Sequence, residues 1–197
     1  MQSIAMFNNK GGVGKTTLLC NLAAWLGLKL KKKVLVVDAD PQCNTTQLVL
    51  SEREINNIYD SNSAFTIYSV VRPLSQGKGY AKEVTPINVS DYGFGLIPGD
   101  PRLALAEDFL SKDWSDAIGG SQRGIQTSML FKQLLSKSSE YDYVFFDMGP
   151  SLGSINRSVL LACDFFLSPM SIDIFSLKAV ENIGNALDTW NSKWKLG

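Results

Sequence analysis

Short apolar runs alternate with longer stretches whose apolar residues recur three and four positions apart. Ser3-Ile4-Ala5-Met6-Phe7 predicts a buried strand over 3–8, and Leu18, Leu19, Leu22, Ala23, Leu26 and Leu30 predict a helix over 16–31. Val34-Leu35-Val36-Val37-Asp38 is an uninterrupted apolar run, the pattern of a central parallel strand covered on both faces. Residues 51–95 are less regular. There Thr66 to Val71 predicts a short helix stopped by Pro73, Gln76-Gly77-Lys78-Gly79 a loop, and Glu83 to Val89 a weak strand. Phe94 to Ile97 predicts a strand ending in a turn at Pro98-Gly99-Asp100, followed by a helix from Arg102 to Leu110. Ser115 to Gly124, with Gly119-Gly120, predicts a mobile surface loop, and Ile125 to Ser136 a further helix. Tyr143-Val144-Phe145-Phe146-Asp147 predicts a second buried strand, with a loop over Gly149 to Ser154 and a helix to Cys163. Phe165 to Pro169 predicts the next strand and Ser176 to Trp194 the last helix. Such alternation predicts an α/β fold, three layers α/β/α around a mostly parallel twisted sheet.

Composition narrows this picture. A chain of 197 residues with 45% hydrophobic and 19% charged content fits one domain over 1–197. The formal net charge is zero, so no overall field draws the chain to nucleic acid or an anionic membrane. Locally the balance differs, because residues 1–37 hold six lysines and no acid. The absence of histidine excludes His-based triads, His-ligated zinc and imidazole acid–base chemistry together. Cys20, Cys43 and Cys163 show no metal-ligand spacing and predict reduced thiols in a cytoplasmic protein. No apolar run approaches the roughly 20 residues of a membrane-spanning helix.

The chemistry concentrates between the first strand and the first helix, at Asn8-Asn9-Lys10-Gly11-Gly12-Val13-Gly14-Lys15-Thr16-Thr17. Strand, glycine loop and helix in that order form the context of a phosphate-binding loop. Its glycines let successive N–H groups turn toward an anion, and the helix start adds the positive end of its dipole. Lys15 can then reach β- and γ-phosphates, and the Thr16 hydroxyl can ligate Mg²⁺. The usual pattern has glycine where Asn9 stands, and Lys10 follows it. Two acidic strand ends add to the loop: Asp147, in the position of a Walker B acid, and Asp38-Ala39-Asp40. Carboxylates there can hold a metal or orient an attacking water, since phosphoryl transfer asks mainly for positioning and charge neutralisation.

Lys10 to Thr17 resembles the deviant Walker A motif of the ParA/MinD family of P-loop ATPases. Asp38-Ala39-Asp40-Pro41-Gln42-Cys43-Asn44 resembles the family's second motif, in a form closer to ParA than to MinD. Phe145 to Gly153 is similar to its Walker B and switch segment, with Gly149 where a proline is common, which predicts a more flexible loop. Leu96-Ile97-Pro98 and the strand ending at Pro169 also fall where the family has similar segments. The resemblance implies an Mg²⁺-dependent ATPase that binds ATP and ADP through Lys10, Gly11, Gly12, Val13, Gly14, Lys15, Thr16, Thr17 and Pro169. Catalysis would fall to Lys10, Lys15 and Asp40, and the metal to Thr16, Asp38 and Asp147. Lys10 would act in trans across an ATP-dependent homodimer, as an arginine finger does elsewhere.

The family's ParA side implies non-specific DNA, a ParB-like activator and association with the nucleoid. A membrane-cycling role like that of MinD is the alternative, with a faint echo in Trp190, Lys193, Trp194 and Lys195. A non-hydrolysing nucleotide switch is the third reading. Lys29 to Lys33 suits a solvated helix end as well as a DNA contact. Family members usually continue with further strands and helices, so the resemblance fits either a short member or a piece of a longer one.

Overall fold

The computed structural model describes residues 1–60, 64–170 and 173–195. The first strand, β1 (Gln2–Met6), is buried from Ser3 onward and runs straight into the glycine loop. Helix α1 (Lys15–Ala24) begins after Gly14, which caps it with φ at 80°, a left-handed conformation that glycine adopts without a Cβ penalty. The helix continues as one wide π turn over Trp25–Lys29. Leu19, Cys20, Ala23 and Leu26 are buried, whereas Leu18 and Leu30 are exposed, so the packed face is narrower than the apolar spacing predicts. Lys29 and Lys31 to Lys33 stand in solvent around the helix end.

β2 (Val34–Ala39) is buried at every position. Two short helices that the hydrophobic pattern does not predict follow, α2 (Asn44–Val49) and α3 (Glu52–Asp60). Their invisibility has a physical cause. α2 turns the polar Thr45 and Thr46 inward, and α3 has no fully buried residue, only Ile55 and Ile58 resting on the core.

α4 (Ile67–Ser75) contains Pro73 instead of stopping before it. Thr66 caps its start, and burial of Ile67, Val70, Val71 and Leu74 offsets the hydrogen bond that Pro73 cannot make in the last turn. The weak strand shrinks to β3 (Ile87–Val89), and β4 (Phe94–Ile97) forms as expected. Pro101–Ala106 is a 3₁₀ segment leading into α5 (Glu107–Ile118).

The region expected to be a mobile loop, 115–124, is therefore largely helical, with only a tight turn before α6 (Gln122–Ser128). Its glycine signal is a packing signal: a Cβ on Gly124 would lie 2.4 Å from the Asp113 carbonyl oxygen. The Thr127 hydroxyl donates to the Asp113 carboxylate at 2.7 Å, and Arg123 pairs with the same group, locking α6 on α5. α7 (Leu130–Ser136), β5 (Tyr143–Met148), α8 (Ser154–Ala162), β6 (Phe165–Leu167) and α9 (Ile174–Lys195) complete the described chain.

Among the described residues the sheet has the order β3-β4-β2-β5-β1-β6, parallel except for the β3–β4 pair. Alternate strand residues feed two separate cores. Val37, Phe146 and Leu35 pack with α4, α5, α7 and α8, while Met6, Val36 and Phe145 pack with α1. Phe131 of α7 meets Phe146 edge-on, with ring centroids 5.8 Å apart. Each such fully buried side chain contributes about 1.5–3 kcal/mol, so both helical layers are held by the same strands.

Trp190 of α9 is buried, with Trp114 of α5 edge-on to its ring and the Arg157 guanidinium of α8 over it. The side chains of Lys193, Trp194 and Lys195 lie outside the described residues. No described helix is long and apolar enough to cross a membrane. The three cysteines are free thiols, and burial pushes those of Cys20 and Cys43 up to about 12.

Candidate functional site

Strand register creates the site. In the parallel pairs of β5 with β1 and with β2, Asp147 lies opposite both Met6 and Asp38. The carboxyl ends of three neighbouring strands therefore finish level with the glycine loop, where α/β proteins build their sites. A cavity of about 540 Å³ opens there. Gly11, Gly12, Gly14, Lys15, Thr16 and Thr17 form its floor, with Asp40, Gln42, Asn44, Leu48 and Pro150 on its walls.

The two lysines of the loop differ in placement. Lys15 is buried, and its Nζ donates to the Lys10 carbonyl at 3.4 Å, inside the loop's curve. The Lys10 side chain is 54% exposed, and its Nζ lies 3.3 Å from Asp173 at the base of α9. Lys10 is thus outside the cavity's lining, as are Val13, Asp38, Asp147 and Pro169. The Pro169 carbonyl instead accepts from the Asn8 amide at 2.6 Å, and Asn8 Oδ1 accepts from the Lys10 N–H at 2.8 Å. That pair ties the chain just after β6 to the loop's start.

Asp147 sits just beneath the floor. Its Oδ2 accepts from the Thr16 hydroxyl and from the Thr45 hydroxyl, each at 2.7 Å, while its buried Oδ1 has no hydrogen-bond partner. Burial pushes the Asp147 carboxyl up, Asp40 adds to that push, and the two hydroxyls oppose it. An orphaned carboxylate oxygen beside a threonine hydroxyl is a fitting place for a hydrated divalent cation. No cluster of three or more acidic or thiol ligands exists among the described residues.

Asp38 is fully buried and turned toward α2: its Oδ2 accepts from the Thr46 N–H at 2.8 Å and the Thr46 hydroxyl at 2.6 Å. Thr46 in turn accepts from the Gly99 N–H at 2.7 Å. Asp40 lines the cavity with one oxygen held by the Gln42 N–H at 2.9 Å. Gly149 lies against it, since a Cβ there would stand 3.3 Å from Asp40 Oδ1. Asn156 of α8 donates to the carbonyls of Gly149, at 2.8 Å, and Ser151, at 2.5 Å. Glu107 accepts from the Ser154 and Ile155 N–H groups. Asn156 and Glu107, side chains the sequence did not single out, thus hold the segment after β5 at Gly149 and Ser151 and at the start of α8. Thr45 and Thr46 were missed likewise, and the dense Thr-Thr pair after Asn44 was the signal available.

Burial raises the Asp38 carboxyl to about 7, with Asp147 adding to the shift and Thr46 opposing it. Its contribution to folding stability is accordingly full below the ordinary carboxylate range and is lost as pH rises toward about 7. In nucleotide-free, metal-free protein, Asp38→Asn should flatten the fall of Tm between about pH 4 and pH 7. Thermal melts across that range test this, and an unchanged slope would contradict the assignment.

A family model described as an AAA domain matches residues 1–195. The chromosome-partitioning ATPase Soj of Thermus thermophilus is 30% identical over 93% of this chain, which spans 60% of that relative's length. Among solved structures, protein DIP2308 of Corynebacterium diphtheriae superposes with TM-score 0.89 at 40% identity, over 99% of this chain and 68% of that one. A Borrelia burgdorferi B31 protein, assigned by its name to plasmid partition and bound to AMPPNP, gives TM-score 0.72 at 26% identity. That match covers 96% of this chain and 71% of the other. With its loop, its acidic strand ends and its sheet order, the chain belongs to this AAA-domain family, among its ParA-like P-loop ATPases.

Proposed function

We propose that residues 1–197 act as a single P-loop domain that hydrolyses ATP with Mg²⁺ as a nucleotide-switched dimer, in partitioning DNA or positioning a large cargo. The observation that carries this reading is the division of labour between the two loop lysines, one buried under the phosphates' seat and one exposed at its rim. Lys15 neutralises phosphate charge within its own chain, and the loop N–H groups orient the phosphates. Thr16 and Asp147 hold the cation and its waters from below, with Asp38 and Thr46 bracing that side. Bound Mg²⁺ supplies further neutralisation of phosphate charge. Asp40, on the cavity wall, orients the attacking water. Lys10 reaches the phosphates of a partner copy, which makes the catalytic unit a pair.

The similarity to a chromosome-partitioning ATPase supports non-specific DNA and a ParB-like activator as partners, in the cytoplasm on the nucleoid. Burial of Trp190 against Trp114 leaves that residue unavailable to a membrane surface, which favours partition over membrane cycling. Retention on random-sequence DNA tests the reading. Retention should require Mg²⁺ and ATP and fall steeply between about 50 and 200 mM salt. No retention at low salt with ATP present would overturn the DNA role.

A further inference from the structure

A second cavity, of about 360 Å³, shares no lining residue with the phosphate cavity. It is bordered by Tyr59 from the end of α3, Tyr68 and Arg72 from α4, Lys78 from the turn after α4, and Arg102. Its volume lies in the range of small-molecule sites.

Three cations meet here in a chain without net charge. Arg102 is fixed by two hydrogen bonds to the buried Asp100 carboxylate, at 2.9 and 2.7 Å, and Asp100 is held in turn by the Thr66 hydroxyl. The same guanidinium lies 4.8 Å from the centre of the Tyr68 ring. Among the described residues Arg72 and Lys78 make no ion pair, and no acid lines the cavity. Arg72 and Lys78 beside the pre-set Arg102 suit a phosphate group, which the Arg72 guanidinium can bind through paired N–H groups, since those of Arg102 are engaged by Asp100. Tyr59, 38% exposed, and Tyr68 supply aromatic surface of the kind a flat ring stacks on.

Tyr59 also connects the cavity to the nucleotide face. Its hydroxyl donates to the Gly99 carbonyl at 2.8 Å, and the Gly99 N–H donates to Thr46 Oγ1 at 2.7 Å. Thr46 donates to Asp38 at 2.6 Å, two residues before the cavity-lining Asp40. This chain of hydrogen bonds joins Tyr59 to a carboxylate beneath the phosphate loop, a route by which a ligand on Tyr59 would act on that site, and any such coupling would be reciprocal.

We propose that this cavity binds a small phosphate-bearing ligand with a flat ring, of nucleoside monophosphate size, and that Tyr59 couples its occupancy to the phosphate-loop site. Calorimetric titration of the Lys15→Ala chain with AMP, GMP and pyrophosphate tests the binding, because that substitution silences the loop. At least one mononucleotide should bind, more tightly than pyrophosphate, and adding Arg72→Ala with Lys78→Ala should weaken it about tenfold or more. Wild-type chain saturated with AMPPNP should give the same second binding event, which keeps the test independent of how Lys15→Ala folds. Absence of mononucleotide binding in both proteins, or binding indifferent to Arg72 and Lys78, would overturn the site. Binding of a 20-nucleotide single strand without any mononucleotide binding would overturn it as well, in favour of nucleic-acid phosphates. For the coupling, the mononucleotide should shift AMPPNP affinity of the wild-type chain about threefold or more. Tyr59→Phe, which keeps the ring and loses the bond to Gly99, should abolish that shift, and a shift that survives it would refute the link.

Discussion

A Lys10→Ala chain is expected to bind ATP about as tightly as wild type and to lose turnover by about 10³-fold, the scale of removing a cation supplied in trans. That loss corresponds to about 4 kcal/mol of transition-state stabilisation. The separation of binding from turnover follows from placement. Lys10 lies off the cavity's lining with its amine on Asp173, while Lys15 occupies the interior of the loop. Removing Lys10 therefore takes nothing from the seat that a nucleotide finds in one chain. It takes the charge that a second chain would bring. Mixing gives a sharper readout than the single variant. In a mixed dimer of Lys10→Ala and Asp40→Ala chains, one site keeps its own Asp40 and receives a partner's Lys10, and the other has neither. Equal mixing of the two inactive chains should restore about a quarter of wild-type turnover if pairing is random across a two-fold interface. A lysine acting within its own chain predicts no recovery, and full turnover by Lys10→Ala alone would refute any catalytic part for it.

What the sequence made legible, and what it did not, follows from where physical information is stored in a chain. The parallel strands were readable because burial on both faces demands unbroken apolar runs, as in Val34 to Val37 and Tyr143 to Phe146. The loop was readable because close backbone approach to an anion demands glycine at fixed positions. α2 and α3 were not, since their ordering comes from hydrogen bonds made by Thr45 and Thr46 and from a thin contact by Ile55 and Ile58. No periodic pattern records either. The region 115–124 misled for a related reason, because glycine marks both flexible turns and tight helix contacts, and only the partner surface on α5 distinguishes them. The same holds for Glu107, whose role at the start of α8 depends on a separation of 47 residues.

Asp40→Ala should leave ATP binding in place and lower basal turnover by about 10²–10⁴-fold, the range for removing a group that positions or deprotonates the nucleophile. The three acids beneath the loop divide by what each oxygen already does. Asp38 is fully buried and spends one oxygen on the Thr46 N–H and hydroxyl, and Asp147 accepts from Thr16 and Thr45 under the floor. Asp40 alone of the three lines the cavity, with Oδ1 held by the Gln42 N–H and Oδ2 making no hydrogen bond among the described residues. The Gln42 bond anchors the carboxylate through one oxygen and leaves the other as a free acceptor on a cavity-lining residue, as the proposed positioning of water requires. Gly149 keeps this geometry open, because a side chain there would crowd Asp40 Oδ1 at 3.3 Å. Steady-state turnover and equilibrium nucleotide binding, measured on the same Asp40→Ala preparation, distinguish loss of chemistry from loss of the site. Weakened binding in parallel with turnover would move Asp40 from positioning water to holding the cation. Unchanged turnover would remove hydrolysis by these residues altogether and leave a loop that reads nucleotide without spending it.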